Sequence, residues 1–284
     1  MMTRLRLGIA ALLCALACAA PLSAFANKAD DTLRIAVTDW YGTLDPYQFP
    51  LDDAAVFYQT VYETLVRFDE RKQEYVPWLA KSWKRIDDKT LEFQLRDDVK
   101  FHNGDKFDGD DVVSIVNYAI DPKYPMRHKD VYDWVAKAEK VGPYTVRIIA
   151  KAPNPVDLQT IAYQFYIFDS KVLDKMDNKA DYGRTSIVGT GPFKVVSLAR
   201  DKMVLDRFDG WWGDIKGPLG AHVKHIVAMP IPDRQTQTAQ LITGNIDVIR
   251  NASADTVRQL SKMPNIRVTP LHDGQLLYIT LDAM

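Results

Sequence analysis

The sequence predicts a mixed α/β fold, and three local patterns predict it. Residues 33–38 (LRIAVT) form a short apolar run of strand type that empties into a loop carrying Trp40, Tyr41, Gly42, Asp45 and Pro46. Residues 90–96 alternate strictly, with Leu91, Phe93 and Leu95 on one face and Thr90, Glu92, Gln94 and Arg96 on the other. A helix signal follows at once. Asp108 is a suitable N-cap, Asp110 and Asp111 sit where the helix dipole favours negative charge, and Val112, Val113, Val116, Ala119 and Ile120 form a buried stripe.

In order along the chain, residues 1–26 read as an export signal. Arg4 and Arg6 precede an uncharged run over residues 7–20, and the small-residue pattern Ala24-Phe25-Ala26 predicts cleavage after Ala26. About 14 apolar residues are too few to span a bilayer, which needs on the order of 20. Both cysteines, Cys14 and Cys18, fall inside this segment, so the mature chain is expected to hold no disulfide, thiolate metal site or cysteine nucleophile. The tract Ala15-Leu16-Ala17-Cys18 is a poor relative of a lipoprotein signal, and the soluble reading is preferred over anchoring at Cys18. Loss of Arg4 and Arg6 takes the bases from 36 to 34 against 37 acids, a mature charge of −3 that gives no nucleic-acid footprint. With 47% hydrophobic residues, six tryptophans and thirteen tyrosines, the chain can build a large core and an aromatic binding cleft.

Asp53 is expected to cap a helix through Leu65, with Phe57, Val61 and Leu65 in register. Residues 65–68 and 75–79 should pair around the polar turn DERKQE. After the turn at residues 102–105 and the helix described above, a helix or turn is expected near residues 131–140, then a strand over 144–150 ended by Pro153 and Pro155. Residues 156–168, with Tyr163, Phe165, Tyr166 and Phe168, fit a buried helix or a strand equally well, and lead to a helix near Ser170. The tract GTGPF introduces a hairpin over 194–198 and 203–206, and FDGWWG a turn with two tryptophans. A strand at 222–231, a helix capped by Asp233 and ended by Gly244, a strand at 246–249, a helix at 255–263 and strands at 266–271 and 276–281 complete the prediction.

No enzyme signature stands out. His222 and His225 lie three apart, on opposite faces of a strand, which argues against zinc. His102 with Asp105, Asp108, Asp110 and Asp111 matches neither a calcium loop nor an acid/base pair, and reads instead as a turn followed by an acidic cap. Nucleophile-elbow, metalloprotease and phosphate-loop motifs are missing, so a binding role is favoured over a hydrolase, and no cofactor or metal is expected.

In order, GTLDPYQ, PWLAKSW, TLEFQLRDDVKFHNGDKFDGDDVV, VGTGPFKV, WWG and LITGNIDVI resemble the extracytoplasmic solute-binding proteins of family 5, the oligopeptide, dipeptide and nickel receptors of ABC importers. The resemblance implies a two-lobed periplasmic clamshell with residues 27–72 and 187–284 in the first lobe and 73–186 as an inserted domain. Family members are about twice this long, so the second lobe is expected to be missing. The chain is then a fragment of a longer receptor or a truncated, non-binding product. The implied function is capture of a peptide or similar small solute, as a monomer, for the permease subunits of an importer. By position, Trp40 and Tyr41 after the first strand are the leading ligand-binding candidates, with Tyr163 and Phe165 behind them.

Overall fold

The structure is a computed structural model that describes residues 30–38, 42–48, 52–124, 126, 128–218 and 220–269. Its first sheet has the order β1-β10-β9-β8, built from β1 (Thr32–Val37), β8 (Phe193–Leu198), β9 (Met203–Arg207) and β10 (His225–Pro230). β1 and β10 are parallel with Thr32 opposite His225, whereas β8 and β9 form the expected antiparallel hairpin. On the far flank of β1 the Ala36 amide donates to the Val248 carbonyl at 3.0 Å, and Val248 makes a parallel bridge to Ile35. The expected strand at 246–249 therefore shrinks to one bridge.

The second sheet, β4-β5-β7-β6, is antiparallel and comprises β4 (Ala80–Arg85), β5 (Thr90–Leu95), β6 (Val135–Gly142) and β7 (Thr145–Ala150). A separate hairpin, β2 (Val66–Asp69) with β3 (Glu74–Pro77), turns where the polar hexapeptide predicted it. The helix or turn expected over 131–140 is instead a short 3₁₀ turn at Lys129–Val131 followed by strand β6. The helices are α1 (Asp52–Val61), α2 (Gly109–Ile120), α3 (Asp157–Gln164), α4 (Ser170–Asp174), α5 (Arg234–Ile242) and α6 (Ala254–Leu260). α1 stops four residues before its expected end, because Glu63 leaves the helix to bridge Ile167. The ambiguous tract 156–168 divides between the two readings, helical through Gln164 and extended beyond it. Residues 266–269 form no regular strand, and the final predicted strand lies outside the described residues.

α2 is capped as its sequence requires. The Asp108 carboxylate accepts from the Asp110 amide at 2.7 Å, and Asp111 returns a bond from the Asp108 amide at 2.9 Å. One apolar cluster runs through both sheets, from Ile35 and Ile226 to Phe93 and Ile148, with Tyr47, Tyr62, Phe168 and Tyr182 between them. The GTGPF tract closes the seam. A Cβ on Gly189 would stand 2.0 Å from the Val61 carbonyl oxygen, and one on Gly191 would stand 2.5 Å from that of Thr60, so only glycine lets this loop lie on the end of α1.

Candidate functional site at the carboxyl edge of the parallel strands

β1, β10 and the Val248 bridge run in one direction, so the chain leaves all three at the same edge of the sheet. In open α/β sheets this edge is where ligands are held, because loops and helix N-termini gather there. The Ile231 amide extends the ladder onto the Val37 carbonyl at 2.8 Å. α5 then starts with Asp233 as its cap, accepting from the Thr236 amide at 2.7 Å and hydroxyl at 2.6 Å. α6 starts close by, capped by Ser253. The Arg234 guanidinium donates to the Asn251 carbonyl and ties the two helix starts together, with Asn251 itself at a φ of 54°.

Further along, Thr43, Leu44 and Asp45 are all buried. Asp45 anchors this stretch, accepting from the Tyr47 amide at 2.8 Å and the Tyr118 hydroxyl at 3.3 Å. Burial lifts its pKa to about 6, and these hydrogen bonds pull it part of the way back. Gly183, at a φ of 80°, lets its carbonyl accept from the Leu44 amide at 2.8 Å.

Trp40 and Tyr41, which succeed Thr38 in the sequence by two and three residues, lie outside the described residues. Tyr163 lies on α3, half-buried, its ring 6.4 Å from Phe68 of β2. Phe165 has no exposed surface. Its ring packs edge-on against Tyr132 at 5.2 Å and Trp134 at 6.3 Å, so its role is in the core. Neither residue has a described contact with the carboxyl edge. His225 lies on β10 with Nδ1 2.7 Å from Asp206, and among the described residues no group of three or more histidine, cysteine or acidic side chains is arranged to hold a metal.

Glu63 escaped sequence reasoning, and His102, read there only as part of a turn, proves to have a second role. Glu63, 3% exposed, accepts from the Trp211 indole at 3.1 Å and the Trp212 indole at 2.8 Å, with Arg96 stacked over Trp212 at 4.2 Å. Burial raises its pKa to about 7, against the pull of the indole donors. The doublet Trp211-Trp212 was the available signal, since buried indole N–H groups need an acceptor. His102 spans the seam: Nε2 is 2.9 Å from the Gly191 carbonyl and Nδ1 accepts from the Gly189 amide at 3.3 Å. That pairing fixes the neutral ring with the proton on Nε2, and burial lowers its pKa to about 4. Both groups are part of the scaffold.

Residues 74–283 match the sequence profile of the bacterial extracellular solute-binding proteins, family 5. The glutathione-binding protein GsiB of Salmonella paratyphi A is 27% identical, over 95% of this chain and 52% of its own length. The nickel-binding periplasmic protein of Escherichia coli K12 is 28% identical, over 78% of this chain and 42% of that protein. The ABC transporter-associated periplasmic binding protein DppA of Helicobacter pylori, solved with the peptide STSA, superposes with a TM-score of 0.72 at 26% identity, covering 82% of this chain and 49% of that one. The chain spans about half the length of the curated relatives it matches. With the profile covering most of its length and the fold in agreement, the chain belongs to the bacterial extracellular solute-binding proteins of family 5.

Proposed function

We propose that the chain contributes the first ligand-holding wall of an ABC importer's substrate-binding component, which captures a peptide or similar small solute and delivers it to permease subunits. The observation that carries this reading is the family match over residues 74–283, joined to a sheet edge where three parallel segments end together. The ligand chemistry rests on relatives named for glutathione, nickel and peptide. Residues 27–72 and 187–284 are assigned to the first lobe and 73–186 to the inserted domain, in line with the separation of the β1/β8–β10 sheet from the β4–β7 sheet. The first boundary falls within the turn of the paired β2–β3 hairpin. Trp40 and Tyr41 are assigned to the ligand, one to stack and one to hydrogen-bond. Tyr163 belongs to a separate groove described below. The protein is assigned to the periplasm as a monomer after removal of residues 1–26, and mass spectrometry of exported protein should find Asn27 as the first residue.

Calorimetry with glutathione, short peptides and nickel complexes tests the binding. One of these classes should bind saturably, and Trp40→Ala or Tyr41→Ala should weaken it by about tenfold, the usual cost of truncating an aromatic anchor. Unchanged affinity in both variants would remove the site assignment. Cleaved peptide among the products would remove the receptor reading itself.

A further inference from the structure

A second groove, of about 530 Å³, lies away from the carboxyl edge, between the 3₁₀ turn Lys129–Val131, Trp134 at the start of β6, and α3. Its volume is that of a small-ligand site. Trp134 and Tyr163 supply aromatic surface, Asn154, Gln159 and Gln164 supply carboxamides, and Asp130 is the one ionisable acid in the lining. Val156, 50% exposed, adds an apolar strip.

The walls are held in place from behind. The Trp134 ring rests on buried Phe165, and its carbonyl accepts from the Lys151 amide at 2.8 Å. The Tyr132 hydroxyl donates to the Gln164 carbonyl at 3.3 Å and fixes the end of α3. The Asn154 side-chain oxygen is engaged by the Val156 amide at 3.1 Å, which leaves its NH₂ group to donate elsewhere. The Trp134 indole nitrogen is buried and has no hydrogen-bond acceptor among the described residues.

We propose that this groove is a binding site for a neutral saccharide, distinct from the ligand edge. The aromatic rings would take the apolar face of a pyranose, and the carboxamides and Asp130 would exchange hydrogen bonds with its hydroxyls. Among the described lining residues an anionic ligand finds no cation and meets a carboxylate instead. An apolar protein surface would strand three carboxamides without partners.

Titration of the full chain with cellobiose, N,N′-diacetylchitobiose and maltose, followed by calorimetry and tryptophan fluorescence, tests the proposal. At least one disaccharide should bind saturably. Gln159→Ala, on the exposed side of α3, and Gln164→Ala should each weaken it by up to about tenfold, the loss of one hydrogen bond, while leaving the affinity of any ligand held at the carboxyl edge unchanged. The proposal is overturned if no disaccharide binds, if an uncharged N-acetyl tripeptide amide binds in their place, or if Trp40→Ala weakens saccharide binding and the glutamine variants do not. None of these results bears on whether a peptide or nickel complex binds at the carboxyl edge, so the two readings fail separately.

Discussion

Glu63 and His102 titrate with opposite signs. The pKa of Glu63 rises from 4.5 to about 7 on folding, so its contribution to stability is complete below about pH 4.5 and is lost as the pH rises through 7. Glu63→Gln should flatten that limb, removing a pH-dependent span on the order of 3 kcal/mol, read from urea midpoints across the range. His102 falls from 6.5 to about 4, so its contribution is complete above about pH 6.5 and is lost as the pH falls through 4. His102→Leu should erase that acid limb and cost about 1–3 kcal/mol at neutral pH, because the Gly189 amide loses its acceptor. An unchanged slope in either variant would assign the pH dependence to other groups, with Asp45 and Asp111 the first to examine.

Loops and helix caps divide the elements into those legible in sequence and those that were not. The cap of α2 is chemistry among Asp108, Asp110 and Asp111, four residues at most, and so can be read without the fold. Asp108→Ala should cost about 1 kcal/mol in chemical denaturation. β6 was hidden because its pairing with β7 shifts register at Val135/Lys137 and again at Lys140/Gly142. Its buried residues Val135 and Ala138 stand three apart, a helical interval produced by a bulge. The glycines of GTGPF were visible as a flexible entry, but their purpose was not, since it depends on the carbonyls of α1 more than a hundred residues earlier. Gly189→Ala should destabilise by about 3 kcal/mol, the upper range for overpacking, because backbone cannot yield as a side chain does.

Across the whole molecule, the segment assigned to the inserted domain is tied to those assigned to the first lobe by His102 on the glycine loop, by the Tyr118 hydroxyl on Asp45 at 3.3 Å and by the Leu44 amide on the Gly183 carbonyl at 2.8 Å. Far-UV circular dichroism and tryptophan fluorescence should therefore report one coincident unfolding transition, and separated midpoints would show that the ties do not couple the sheets. The family was legible from the order of short motifs, whereas the carboxyl edge was legible only as a position after a strand. That edge is made by β1, β10 and the bridge at Val248, which no local pattern joins. The same arrangement governs assembly in time. The Arg34 amide donates to Asp247, 213 residues onward, and the strand that β1 pairs with is β10, far along the chain. A strand that must wait about two hundred residues for its partner makes folding slow, with high contact order. For a polypeptide whose opening segment reads as an export signal, such a delay would suit export: the sheet cannot close until β10 has been made.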